Sequence, residues 1–189
     1  MKYIRYYINN DSTDDRKKLR KLSEFLSNRL GKRITVDSET CYHLIFDEDI
    51  DVDHFEHRNF NKLKWLLGKN PVKSTLSKNS IFEKAEKENL IEIGTKPMFV
   101  TSFSTNAVLV LRAAGIKHIK RLEHSIRYQM QNISWSNRED IIPMICDRMT
   151  QCEYPKEVCF EGTNAREKYF EIDLIGSIDN LIAANQKLS

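Results

Sequence analysis

The chain has 189 residues, 40% of them apolar and 30% charged, enough to bury a real core in one large domain or one domain with an appendage. Thirty basic residues stand against 27 acidic ones, a net charge of +3, and because the two signs are interspersed the balance gives little support to a nucleic-acid partner. The N-terminal stretch MKYIRYYINNDSTDD has no secretory apolar core and no run of 18 apolar residues occurs anywhere, which argues against a spanning helix and leads to the expectation of a cytoplasmic protein with no membrane partner.

In chain order, MKYIRYYI mixes aromatic and β-branched residues in partial alternation, which predicts a half-buried first strand. NNDSTDD supplies turn and N-cap chemistry, and in RKKLRKLSEFLSNRLGK the residues Leu19, Leu22, Leu26 and Leu30 recur at three and four. That spacing predicts an amphipathic helix lying on a sheet and closed by Gly31. RITVDSETCYHLIFDED returns to β character through Ile34, Val36, Cys41, Tyr42, Leu44 and Phe46, as one long bent strand or two short ones, and an acidic loop is expected after it. FNKLKWLLGK reads as a short helix with Leu63, Leu66 and Leu67 near Trp65, ended by Gly68 and Pro71. Residues 69–89 are rich in Lys, Ser and Asn and read as a loop with one helical turn near Ile81 to Ala85.

LIEIG predicts a strand, and a Thr/Ser run leads into a helix capped at Ser104 or Thr105 and closed by Gly115. In HIKRLEHSIRYQMQ, Ile119, Arg121, Glu123, Ser125 and Arg127 fall on one side, with Lys120, Leu122, His124, Ile126, Tyr128 and Met130 on the other, which predicts a strand with one polar face. SNREDIIPMICDRMTQCEYP reads as a helix capped near Ser136 or Asn137, striped by Ile141, Ile142, Ile145 and Met149, with Pro143 in its first turns, where proline is best tolerated. The tail offers a strand, YFEIDLIG, and a helix, SIDNLIAANQKLS. The expected class is α+β: two tandem αβ units, an antiparallel sheet, and helices packed on one face. The domain is expected over residues 1–153, with halves of about 1–68 and 90–153, and residues 154–189 as the start of a linker region.

Chemistry is sparse. Cys41, Cys146, Cys152 and Cys159 form no CxxC pair, which predicts neither a zinc site nor a disulfide framework. Cys41 and His43 share a strand face, but nothing in the surrounding sequence would lower the thiol pKa, so a buried Cys beside a half-exposed His is the better reading than a nucleophile with its base. His54 and His57, with Asp53 and Glu56, have one-turn spacing, yet surface His among acids usually faces solvent, and no metal is expected. Arg16, Lys17, Lys18, Arg20 and Lys21 read as a solvated helix face, and no glycine-rich nucleotide loop is present. The Thr/Ser run offers hydroxyls and free amides at one helix start, which suits either an anion or a locked cap. Arg121, Glu123 and Arg127 suit a cross-strand salt network, a docking face or a phosphate site, in that order. Asp147 and Arg148 lie near a helix end, where they can cap or pair.

IGTKPMFVTSFSTNAVLVLRAAGI, followed by RLEHSIRY and later CDRMT, resembles the N-terminal domain of the large phosphoribosylformylglycinamidine synthases, the formylglycinamide ribonucleotide amidotransferases. The matching positions are Thr101, Ser104, Thr105, Asn106, Gly115, Arg121, Glu123, Arg127, Tyr128, Asp147, Arg148, Met149 and Thr150; ETCYHLIF, KLKWLLG and IDLIGSIDNLIAANQKLS look like further family segments. The family's Pro-Arg stands here as Thr95-Lys96 and its Thr-Pro as Thr101-Ser102. The resemblance implies a fold like a fused dimer of the small S subunit of the multi-subunit bacterial enzyme. It implies a scaffold role in de novo purine biosynthesis, docked on the synthetase and glutaminase domains of the same enzyme. It implies no catalytic residue and no cofactor in this chain, with ATP and magnesium in the synthetase domain. Thr101, Ser104, Thr105, Asn106, Arg121, Glu123, Arg127, Asp147 and Arg148 become candidates for domain docking or anion binding. Two other readings are a free-standing non-catalytic paralogue acting as a protein-interaction module, and a small RNA-binding α+β domain.

Overall fold

The computed structural model describes residues 2–47, 50–68, 76–83, 89–133, 135–155 and 158–160, with short helical stretches at 180–182 and 185–186. Nine elements follow in order: β1 (Tyr3–Asn9), α1 (Thr13–Leu30), β2 (Thr35–Phe46), α2 (Val52–Leu67), β3 (Leu90–Thr95), α3 (Ser102–Ala113), β4 (Ile119–Gln131), α4 (Trp135–Ile145) and β5 (Gln151–Glu153). The YFEIDLIG segment and most of the last helix lie outside the described residues.

Local chemistry accounts for the helix ends. The Ser12 hydroxyl accepts from the Asp15 amide at the start of α1, Asp14 and Asp15 sit in its positive first turn, and Gly31 at φ 64° closes it. The end of the acidic run expected as a loop starts α2: Asp51 caps it, accepting from the amides of Asp53 and His54, and Asp53 sits in its first turn. α3 begins earlier than either expected cap, at Thr101, whose hydroxyl accepts from Ser104 N at 2.9 Å. α4 also starts earlier, at Trp135, which puts Pro143 in its interior, two residues from the helix end. Met149, expected in the α4 stripe, is 80% exposed on the turn after the helix.

The five strands lie in the order β1-β2-β4-β3-β5, every neighbour antiparallel. TVDSETCYHLIF forms one twelve-residue strand rather than two, in register with β4 from Thr35↔Gln131 onward and bulged between Ile45 and Phe46. Each βα unit thus places its second strand inside its first, so that β2 meets β4, and β5 edges the sheet beyond β3.

Helices α1, α2, α3 and α4 cover one face. Tyr6, Ile8, Leu44, Phe46 and Leu122 from the sheet pack with Phe55 and Leu63 of α2 and Val108 and Leu111 of α3. Val36, Ile91, Ile93 and Met130 pack with Leu26 of α1 and Ile141 of α4. These strand positions alternate along each strand, so their neighbours must point to the opposite face. That face is covered by two straps. Residues 76–83 cross the outer edge of β1 through paired backbone hydrogen bonds between Tyr7 and Ser77. After β5, Tyr154, Val158 and Phe160 are buried on Ile45.

Candidate functional site

The strand face turned away from the helices carries an ionic ladder. Strand register sets its rungs: Glu39, Arg127 and Glu92 lie side by side on β2, β4 and β3; Tyr7, Cys41, Ser125 and Gly94 form the next rung; Arg5, His43 and Glu123 the third; Tyr3, Ile45 and Arg121 the fourth. Glu39, His43 and Glu123 are fully buried, and Arg121 and Ser125 nearly so. Three guanidiniums meet three carboxylates: Arg127 pairs with Glu39 and Glu92, Arg5 with Glu92, and Arg121 Nε with Glu123 Oε1 at 3.0 Å. The charges close on themselves, as a buried network must if no lone charge is to be stranded in low dielectric.

The straps complete the enclosure. Ser80 donates to Glu39 at 2.5 Å, and the Ile81 amide donates to the same carboxylate at 2.9 Å. At the other end the Tyr154 ring lies on Gly94, so close that a Cβ there would sit 2.3 Å from the ring. Phe160 lies under the Arg121 guanidinium at 5.1 Å and 5.3 Å from the His43 ring.

Protonation follows from burial and these partners. Burial alone would raise the Glu92 carboxyl, but hydrogen bonds from His43 and Ser125 and the Arg5 charge hold it down at about 2. Burial pushes His43 down, against the pull of Glu92, so it is neutral. With Ser125 Oγ donating to Glu92 at 2.6 Å, His43 Nε2–H donates to Ser125 Oγ at 2.9 Å, and Nδ1 is left without a partner among the described residues. Burial pushes the Cys41 thiol up to about 12 despite Arg5 Nε 3.2 Å from its sulfur. Such a thiol is no nucleophile at neutral pH.

Cys41, His43 and Glu92 bring one ligand atom each within 4.8 Å of one another. A cation fits poorly there. Arg5 already donates to the Cys41 sulfur, and Arg5 and Arg127 both pair with Glu92, so a metal would displace guanidiniums with no spare negative charge to receive it. His54 and His57 are exposed on α2.

The structure brings Thr101, Ser104, Arg121 and Glu123 together. Glu123 accepts from the Thr101 amide at 3.3 Å and its hydroxyl at 2.9 Å, so the chain's own carboxylate occupies the place at the α3 N-terminus where an external anion would sit. Ser104 is buried, and its hydroxyl accepts from the Leu122 amide at 3.2 Å, tying helix to strand. Arg121 also grips the preceding loop through Pro97 O at 2.6 Å and Phe99 O. Arg127 lies three rungs along the same ladder. Thr105 and Asn106 face solvent instead. Asp147 is spent on its own turn, accepting from the Met149 amide at 3.0 Å and the Thr150 hydroxyl at 2.7 Å, and Arg148 is exposed beside it.

Sequence reasoning missed Arg5, Glu39 and Glu92 as members. Their one signal was phase: each is a charged residue within a run otherwise rich in strand formers, on the face opposite the apolar positions.

Outside the ladder, α3 presents an apolar surface. Its buried side is Ser104, Val108 and Leu111, and the Phe103 ring leans onto His124 at 4.7 Å, whereas Asn106 and Val110 lie on the outer side, with Leu109 one turn beyond Thr105. Leu109 is 58% and Val110 53% exposed, and Met98, Phe99 and Val100 extend the exposed apolar surface into the loop that Arg121 holds.

Residues 39–161 match the family model described as formylglycinamide ribonucleotide amidotransferase N-terminal. The chain is 31% identical over 91% of its length to a probable phosphoribosylformylglycinamidine synthase of Caenorhabditis elegans, covering 12% of that protein. It is 29% identical over 83% of its length to the phosphoribosylformylglycinamidine synthase of Drosophila melanogaster, covering 12% of it, and 28% identical over 71% to that of Dictyostelium discoideum, covering 11%. The chain therefore spans about an eighth of the length of these relatives.

Proposed function

Because the chain belongs to the formylglycinamide ribonucleotide amidotransferase N-terminal family, we propose that it is the scaffold and docking domain of a phosphoribosylformylglycinamidine synthase in de novo purine biosynthesis, with no reaction centre of its own. Its partners are the synthetase and glutaminase domains of that enzyme, in the cytoplasm, with ATP and magnesium bound in the synthetase domain. On this reading residues 1–153 form one unit of two halves, about 1–68 and 90–153, like a fused dimer of the small S subunit; the strand order β1-β2-β4-β3, with β2 and β4 central, supports it.

The observation that carries the docking role is the exposed apolar surface of α3 and its leading loop, Met98, Val100, Phe103, Leu109 and Val110, with Thr105 and Asn106 among them. Contiguous exposed apolar surface with polar groups interspersed is what an interface needs. The absence of a catalytic role is supported by the state of the titratable groups, since the ladder's charges are paired and sealed and its thiol is protonated.

Two measurements test the reading. Given glutamine, ATP and formylglycinamide ribonucleotide, the 189-residue chain should form no amidine. Added to the Caenorhabditis elegans relative lacking its matching region, it should bind, and Leu109→Lys with Val110→Lys should abolish that binding while leaving the fold intact. Amidine formed by the chain alone sinks the scaffold role, and binding unaffected by the double variant sinks α3 as the docking face.

A further inference from the structure

A second surface feature stands apart from α3's outer side and from the ladder. Between the first three turns of α2 and the turn linking α3 to β4 lies a cavity of about 620 Å³. Its walls carry Asp51, His54, Arg58, Lys62, Lys117 and His118, and Ile50 and Phe55 also line it. We propose that this groove binds the phosphate group of a small organic phosphate.

Charge is the first argument. Three permanent cations, Arg58, Lys62 and Lys117, face a single carboxylate, Asp51, and that carboxylate already accepts from the Asp53 and His54 amides as the α2 cap. Arg58 and Lys117 have no ion-pair or hydrogen-bond partner among the described residues. This contrasts with the basic run of α1, where Lys17 lies 3.9 Å from Asp14 and Arg20 lies 3.5 Å from Glu24. The groove therefore gathers three cations on one concave wall against one carboxylate that is already engaged as a helix cap.

Geometry is the second. Lys62 Nζ donates to Ala114 O at 3.1 Å, which pins α2 to the end of α3 and leaves two of its three ammonium donors to point elsewhere. His118 adopts φ 68°, a left-handed conformation rare for any residue but glycine, and its carbonyl accepts from the Asp47 amide at 3.0 Å, which fixes the strained turn against the β2 end. Backbone conformations of this kind gather at binding sites. A guanidinium and two ammoniums around a concave wall, beside the buried Phe55, suit a phosphate with an attached organic group. The inference does not depend on the docking role.

The test uses the 189-residue chain and inorganic phosphate as the probe, titrated at fixed ionic strength with amide chemical shifts as the readout. Shifts should saturate and concentrate at His54, Arg58, Gly115 and Lys117. Arg58→Gln with Lys117→Gln, two exposed side chains, should raise the dissociation constant at least tenfold. Lys17→Gln with Arg20→Gln, on α1, makes the same change in net charge and should leave it within twofold. Shifts that never saturate, or an equal loss in both double variants, would mean an adventitious ion only and would overturn the site.

Discussion

Glu92→Gln isolates the energetic weight of the ladder. Glu92 is the acceptor shared by Arg5, Arg127, Ser125 and, at 3.2 Å, His43, on the short strand β3. Its carboxyl falls from an ordinary 4.5 to about 2 in the fold. The sign is fixed by linkage: a carboxylate depressed by folding contributes stability that is complete above its unfolded value and lost as pH falls through its folded one. A gap of about 2.5 pH units, at 1.36 kcal/mol per pH unit, makes that contribution about 3 kcal/mol. The same size is expected from structure, since removing one partner of a buried ion pair costs about 3–5 kcal/mol by stranding the other charge. Urea unfolding of both proteins at pH values from 7 to 2 reads it directly. The wild type should exceed Glu92→Gln by about 3 kcal/mol near pH 6, and the two curves should converge between pH 5 and pH 2. The window opens near the unfolded carboxyl's ordinary 4.5, while buried, neutral His43 makes both proteins less stable as pH falls below its ordinary 6.5. Parallel curves across that window would refute the view that Glu92 is held ionised by its partners.

Ser104→Ala removes the acceptor of the Leu122 amide and should destabilise by about 1–3 kcal/mol in urea unfolding, more than an exposed Thr105→Ala on the next residue. Gly94→Ala drives a methyl into the Tyr154 ring and should cost about 1–3 kcal/mol. In a double-mutant cycle that cost should shrink when Tyr154→Ala clears the space, with full additivity counting against the contact. Cys41, fully buried with its thiol pushed up to about 12, should react with a maleimide only as fast as the chain unfolds, whereas exposed Cys159 labels in the native state; mass mapping of the labelled peptides distinguishes them.

Periodicity made most of the fold legible. Leucines at three and four marked α1, and alternation in HIKRLEHSIRYQMQ marked β4 and its polar side before any partner was visible. The errors have a common physical origin. Ser104 and Thr105 were as good caps as Thr101 on local chemistry, and what selected Thr101 was Glu123, a carboxylate 22 residues away, reaching its amide and hydroxyl. A run of acids reads equally as a loop or as a helix start, and what makes Asp51 and Asp53 the latter is the positive end of α2 that they meet. The ladder itself was half visible: β4 announced Arg121, Glu123 and Arg127, but the register that sets Glu39 and Glu92 beside Arg127 is a long-range fact no local pattern carries.

The position of the charges explains why the apolar surface lies where it does. A sheet with helices on one side must do something with its other side, and here polar residues fill it, pair with one another and are roofed by Ser80, Ile81, Tyr154, Val158 and Phe160. Buried pairs of this kind add little net stability against an apolar core of the same shape, so their value lies in the geometry they enforce. That geometry is specific. Arg121, neutralised by Glu123, spends its remaining donors on the carbonyls of Pro97 and Phe99, and Glu123 in turn takes the Thr101 cap. The loop bearing Met98 and Val100 is thereby fixed to the sheet, Ser104 anchors the first turn of α3 behind it, and Lys62 holds the far end of the helix at Ala114. An exposed apolar surface that is held at three points loses little conformational entropy when a partner covers it, which is the condition under which modest area yields useful affinity.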